Sequence, residues 1–320
     1  VKVSQNWRVG PPARGAVVSI GVFDGVHLGH QAILAANLAR ARRDGAEATV
    51  VTFAEHPKQV LLGRAPRTLT CLEHRLELFA TAGIEHTVVL EFDELLREMP
   101  AERFAREVLV EALGARAFVL GFDSKFGRDR RGTPELLSEL GFEVTVVEQV
   151  VVEQHGVSST AIREAVELGD LEGARQMLGR PVSVLGKVVR GAALGRELGF
   201  PTANIDPHHE LEPPGGVYYG WVRIVRGANG ERPATSPLLP AVANIGSRPT
   251  VSPGLPERQR LEAHLLDFSG DLYGATLELQ FLGRLRAEQR FPNVAALRDQ
   301  IGADVARARE LLRAAGEQAS

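Results

Sequence analysis

Five short β-branched runs alternate with helix-length amphipathic stretches along the first 178 residues, and at Leu178-Gly179-Arg180-Pro181 the alternation stops. Alternation of this kind builds a parallel sheet covered by helices, because each crossover between parallel strands needs a helix-sized connection. The runs Ala16 to Phe23, Ala48 to Phe53, Thr87 to Phe92, Ala117 to Gly121 and Val144 to Val147 read as strands. Stretches at 31–43, 72–81, 102–113 and 133–140 read as the covering helices, followed by short helices at 160–168 and 171–178. A Gly and a Pro then break the pattern. With 320 residues the chain exceeds one ordinary core. Residues 1–180 are therefore expected to form a doubly wound, Rossmann-like α/β domain, and residues 181–320 a second domain.

Beyond the break the strand-like runs are Val182 to Val189, Val217 to Val225, Pro240 to Ile245, Arg260 to Leu266 and Ala275 to Leu282, joined by Gly/Pro-rich loops. That pattern predicts a small antiparallel β-barrel, with residues 227–240 as a mobile hairpin loop. Asn293 can cap a closing helix whose apolar residues Val294, Leu297, Ile301, Val305, Ala308 and Leu312 keep helical spacing, and this helix should pack across the β domain.

Composition narrows the classes of function. Hydrophobic residues make up 44%, charged residues 24%, and mean hydropathy is near zero, as in a soluble globular protein. No apolar run reaches the roughly 18 residues needed to span a bilayer, and Val1 to Gly10 does not read as a signal peptide, so neither a membrane nor a secretory destination is expected. Cys71 is the single cysteine, which rules out an internal disulfide or a cysteine-built metal cluster and fits a cytoplasmic protein. A net charge of −3 gives no overall attraction to nucleic acid, despite the arginines at 128–131.

Three polar constellations lie where strands end in the first half. The stretch from Ser19 to Gln31 joins a strand to a helix, a place where backbone N–H groups and the helix dipole favour an anion. Gly21, Gly25 and Gly29 let the backbone approach a ligand, while His27 and His30 can donate hydrogen bonds to phosphate oxygens as charge builds. The stretch is neither a dinucleotide fingerprint nor a P-loop, and standing alone His-x-Gly-His also reads as two surface histidines at a helix start. Gly121 to Gly132 follows another strand and by itself could be a solvated basic loop. In Val157 to Arg163, hydroxyls open a helix with an arginine on its first turn, which N-capping alone would explain.

In the second half, Pro201-Thr-Ala-Asn204 offers a hydroxyl and an amide oxygen two residues apart, hard ligands suited to Mg²⁺ carried in by a nucleotide, or equally a capped loop. On the run Arg260 to Leu266 the period of two puts Glu262 and His264 on the face opposite Leu261, Ala263 and Leu265. A carboxylate facing a cleft can take a proton from an alcohol, although an exposed Glu on an amphipathic strand needs no such role.

Taken together and in order, Gly21-Val-Phe-Asp-Gly-Val-His-x-Gly-His-Gln31, Gly121-x-Asp with Phe126-Gly127, Arg130 and Gly132, and Ser158-Ser-Thr-x-Ile-Arg163 resemble the adenylyltransferase module of bacterial bifunctional riboflavin kinase/FAD synthetases. Gly186-x-Val-x-x-Gly191, Gly195-Arg-x-Leu-Gly-Phe-Pro-Thr-Ala-Asn204, Gly216-Val-Tyr218, Asn244-x-Gly-x-Arg-Pro-Thr250, Glu262-x-His264, Leu272-Tyr-Gly274 and Leu285-Arg-x-Glu-x-x-Phe291 resemble its riboflavin kinase module. The resemblance implies an enzyme that phosphorylates riboflavin with ATP to FMN and adenylylates FMN with ATP to FAD and pyrophosphate. It implies that His27, His30 and Arg163 act on the triphosphate in the first module, with Gly21, Phe23, Asp24, Gly29, Asp123, Arg130, Ser158 and Ser159 at ATP and His56 and Pro57 at FMN. In the second it implies Gly186, Gly191, Gly195, Arg196, Gly199 and Pro201 at ATP, Thr202 and Asn204 on Mg²⁺, Glu262 as general base, and Arg286, Glu288 and Phe291 beside the flavin. No permanently bound cofactor is expected, and a homo-oligomer is left open. Two positions depart from the family pattern, Glu55 where a proline is usual and Ser124 where an aromatic is common, and they frame the alternative of a riboflavin kinase alone with a weakened nucleotidyltransferase half.

Overall fold

The computed structural model describes residues 1–63, 65–191, 194–208, 210–247 and 259–318, so Arg248, Pro249 and Thr250 of the Asn244 motif lie outside the described residues. Chain contacts divide it into two compact units, Val1–Ser159 and Thr160–Ser320.

The first unit holds six parallel strands: β1 (Lys2–Ser4), β2 (Ala16–Ile20), β3 (Glu47–Phe53), β4 (His86–Leu90), β5 (Ala115–Gly121) and β6 (Glu143–Val147). Their order is β1-β4-β3-β2-β5-β6, so the winding reverses between β2 and β5. The helices are α1 (Leu28–Asp44), α2 (Lys58–Leu62), α3 (Leu72–Ala82), α4 (Glu94–Glu98), α5 (Ala101–Arg103, running on as a π-helical segment over Phe104–Ala112) and α6 (Pro134–Glu139). A two-stranded ribbon of β7 (Val151–Val152) and β8 (His155–Gly156) follows. Strands β2 and β4 are buried along their whole length, as expected of parallel strands covered on both faces. The inserted Asn37 on α1 donates from Nδ2 to Val17 O at 3.0 Å and Ser19 Oγ at 2.9 Å, which fixes the height of the helix over the sheet.

In the second unit α7 (Ser159–Leu168) and α8 (Leu171–Leu178) lead into a barrel. Its elements are β9 (Val182–Val189), α9 (Leu194–Glu197), β10 (Ala203–Asp206), β11 (Gly216–Arg226), β12 (Leu239–Ser247), β13 (Gln259–Leu265), β14 (Thr276–Arg286) and α10 (Val294–Gln318). The six strands close in the order β10-β13-β12-β11-β14-β9 and every pair is antiparallel. The sequence boundary at 180 places α8 with the first half; by contacts it groups with the second, because it packs on β9 and β14.

Asn293 Oδ1 accepts from Ala296 N at 2.9 Å, as the capping pattern requires, and α10 lays Ala308 and Leu312 on Val217, Val242 and Leu266 of the barrel's outer surface. Two buried acidic residues sit elsewhere in this unit: Glu210 accepts from Leu185 N at 2.8 Å and Glu278 from Arg223 Nε at 3.0 Å. Burial drags the Arg180 guanidinium down to about 10, against the opposing pull of Glu278 and Glu210.

Candidate active sites

In doubly wound sheets a ligand binds in the crevice beyond the carboxyl ends of the strands where the winding reverses. Here β2 and β5 flank that point, and the two loops that follow them carry the first two motifs. The β2 loop is irregular: Phe23, Gly25 and Val26 all have positive φ, at 53°, 81° and 38°. For Phe and Val that conformation costs of order 1–3 kcal/mol each, so it persists only when its surroundings hold it.

The hold is visible. Asp24, 3% exposed, accepts at Oδ1 from Leu69 N at 2.9 Å and Thr70 N at 3.0 Å, and Thr70 Oγ1 in turn accepts from Gly25 N at 2.8 Å. Arg75 donates to Val22 O at 2.6 Å and to Phe53 O at 2.9 Å. The carboxylate of Asp24 is thus spent on the loop's own architecture, at least through Oδ1. Phe23 is buried, edge-on to Phe79 and His30.

The result is a rigid mount for two imidazoles at the start of α1. His27 is the N-cap, its Nδ1 accepting from His30 N at 3.4 Å, and the two rings stack with centroids 3.6 Å apart. Gly29 lies against the His27 ring, where a Cβ would come within 3.2 Å of Cε1. The first turn of α1 contains no acidic side chain, so nothing on the helix itself offsets the positive end of its dipole. Gly21, at the exit of β2, donates its N–H to Val51 O.

The third motif is joined to this loop: Ser159 Oγ donates to Asp24 O at 2.9 Å, which places Ser158 and Ser159 beside it. Arg163 lies one turn further along α7, in the second unit. After β5, Asp123 is exposed in the turn, and Phe126 and Gly132 close the basic loop by exchanging both backbone hydrogen bonds. Arg130 projects from that loop, exposed. His56 and Pro57 sit before α2, where His56 Nδ1 accepts from Lys58 N at 3.1 Å.

In the second unit the register lines up residues that the sequence scatters over 82 positions. Asn204 on β10 faces Glu262 on β13, Glu262 faces Asn244 on β12, Asn244 faces Val217 on β11, and Val217 faces Arg286 on β14. Cross-strand partners point to the same face of a sheet. The alternate residues Ala203, Leu261, Ala263 and Ile245 are buried in the barrel interior, so this row lies on the outer surface. One end is covered by α10, where Arg286 pairs with Asp304 at 2.8 Å and lies 5.7 Å from the Phe291 ring centre. Glu288 lies against Gly246, since a Cβ there would meet its Oε1 at 2.8 Å.

At the other end His264 Nδ1 sits 2.8 Å from Pro201 O, which fixes the turn bearing Thr202. Gly191 passes directly over Asn204, so close that a Cβ would fall 2.2 Å from its Nδ2. Gly186 lies within β9 against the Asp206 backbone, while Gly195 and Arg196 are in α9 and Gly199 just after it. A cleft beside this turn is lined by Val188, Ala203, Ala263 and Leu265, by Phe268 and Tyr273, and by Arg196, Thr202 and Asp271. Apolar and aromatic side chains mixed with a few polar groups suit a heterocyclic base. Nothing in the sequence marks Phe268 and Asp271 beyond their position in the short loop that returns from β13 to β14.

Family models match both halves: FAD synthetase over residues 11–161 and riboflavin kinase over 178–312. The bifunctional riboflavin kinase/FMN adenylyltransferase of Pseudomonas fluorescens is 39% identical over 94% of each chain, and that of Escherichia coli K12 is 37% identical over 93% of each. A solved structure from Streptococcus pneumoniae, described as a macrolide-efflux protein, superposes with a TM-score of 0.80 at 31% identity, covering 96% of this chain and 98% of that one. Among the described residues, no helix here is long and apolar enough to cross a membrane.

Proposed function

The chain belongs to the bifunctional riboflavin kinase/FMN adenylyltransferase family, and from that premise we propose which of its groups carry the two transfers. It is a transferase that makes FMN from riboflavin and ATP and FAD from FMN and ATP.

For the adenylyl transfer, His27 and His30 hold the triphosphate at the start of α1, aided by the helix dipole and by the hydroxyls of Ser158 and Ser159. The FMN phosphate attacks the α-phosphorus in line and pyrophosphate leaves. No side chain becomes covalently attached, so the rate gain is positioning and stabilisation of charge. Asp24 acts by holding the loop, while Asp123 and Arg130 border the nucleotide from the β5 side, with His56 and Pro57 toward FMN.

For the kinase step, the cleft lined by Val188, Ala263 and Tyr273 takes the adenine, and Glu262 accepts the proton of the terminal ribityl hydroxyl as it attacks the γ-phosphorus. Arg286, Glu288 and Phe291 lie toward the flavin. The donor set fits Mg²⁺, since Thr202 and Asn204 supply neutral hard oxygens two residues apart. Mg²⁺ bound there with ATP would neutralise charge on the phosphates. ATP-dependent chemistry and a single cysteine accord with a cytoplasmic setting.

The observation that carries this reading is that each unit brings together its own polar cluster, the stacked histidines in one and the Asn204–Glu262 row in the other. Incubating the full chain with riboflavin, ATP and Mg²⁺ and resolving the products by chromatography should give FMN and then FAD. Formation of neither would contradict it, and FMN without FAD would favour the kinase alone.

A further inference from the structure

Arg260 stands two residues before Glu262 on β13, so both side chains share the outer face of the barrel. Its Nε donates to Asn204 Oδ1 at 2.9 Å and its terminal nitrogen lies 2.5 Å from Glu262 Oε1. One guanidinium therefore spans the two oxygens that, in the function proposed above, serve the nucleotide's metal and the hydroxyl proton. Its partner in register on β12 is Gly246, against which the Glu288 carboxylate lies.

The bound guanidinium opposes the entry of a further cation at these two oxygens. Part of the acceptor capacity of Asn204 Oδ1 and of Glu262 Oε1 is taken up by this guanidinium. A divalent cation approaching Asn204 also meets a fixed positive charge already in contact with its ligand. Arg260 and Glu262 are 34% and 21% exposed, so water and ions reach the pair and exchange of partners needs no unfolding.

We propose that Arg260 is a positioning residue of the kinase: it aligns Asn204 and Glu262 across the β10–β13 pair and competes with the nucleotide's divalent cation for them, so that it sets the metal concentration at which the nucleotide binds. The proposal rests on Asn204 facing the metal. When the metal–nucleotide enters, Arg260 leaves Asn204 and Glu262, and the carboxylate becomes available as a base.

The test is calorimetric titration of the full chain with ADP at a series of Mg²⁺ concentrations, comparing wild type, Arg260→Gln, Arg260→Lys and Asn204→Ala. Removing one positive charge a few ångströms from a divalent ion should lower the Mg²⁺ needed for half-maximal ADP binding in the kinase site about tenfold in Arg260→Gln. Arg260→Lys should stay close to wild type, and Asn204→Ala should lose most of the metal dependence. A gain in affinity is a result that a merely structural role for Arg260 would not produce. Unchanged or weaker metal-dependent binding in Arg260→Gln, with Asn204→Ala still impaired, would overturn the proposal and leave the site reading standing. Metal dependence that survives in Asn204→Ala would overturn the site reading, and the proposal with it.

Discussion

Replacing Asp24 with alanine removes the acceptor for two buried backbone donors, Leu69 N and Thr70 N, and frees the loop that carries His27 and His30. Each buried donor left without a partner costs about 1–3 kcal/mol. Two of them, partly relieved by water entering the gap, give a loss of about 3 kcal/mol for the first unit. At roughly 2–4 °C per kcal/mol for a unit of this size, its melting transition should fall by about 6–12 °C. Asp24→Asn keeps an oxygen at the same position and should lose less than half of that. Differential scanning calorimetry of the full chain measures the shift, and product analysis at a temperature below both transitions measures the consequence. FAD formation should fall well below wild type while FMN formation from riboflavin is unchanged. A transition within 2 °C of wild type would refute the reasoning that Asp24 is the loop's anchor.

His86 sits buried between Ser4 Oγ and Glu47 Oε1, each at 2.9 Å, and burial lowers its pKa although Glu47 pulls the other way. Because the unfolded chain takes up the proton first, stability of the first unit should be full above the ordinary value of 6.5 and decline as pH falls below it. Urea midpoints at a series of pH values should show this slope, and His86→Gln should flatten it. Gly191→Ala would drive a methyl into the amide of Asn204, so FMN formation should drop at least tenfold with FAD formation from supplied FMN preserved, read by the same product assay. Arg286→Met breaks the pair with the buried Asp304 and the contact with Phe291; partial exposure limits the stability loss of the second unit to about 1–2 kcal/mol, measured by its calorimetric transition, while KM for riboflavin rises.

Much of this architecture was legible in the sequence because strand and helix periodicities differ. The run Val182 to Val189 matches β9 at both ends, and Asn293 caps α10 as its position suggested. Three features were hidden for physical reasons. The strand expected to reach Phe23 ends at Ile20, since positive φ at Phe23, Gly25 and Val26 leaves no trace in hydropathy. Strand β1 is three residues long and pairs with β4 more than eighty residues away, a partnership no local pattern reveals. The apolar stripe of 102–113 suits a helix but cannot tell α from the π winding seen over Phe104–Ala112. Within the candidate sites, residue types single out His27, His30, Asn204 and Glu262 as proposed site groups, while the Arg260 contact to Asn204 is hidden because it arises only from β10 lying beside β13.

That the two transfers proceed in separate units is tested most directly by a pair of substitutions in the full chain. Products should be resolved with riboflavin and ATP as substrates for one reaction and FMN and ATP for the other. His30→Ala should lower FAD formation at least a hundredfold and leave FMN formation intact, and Glu262→Ala should do the reverse. If either substitution, in a protein whose two melting transitions match wild type, removed both activities, the separate-site account would be contradicted.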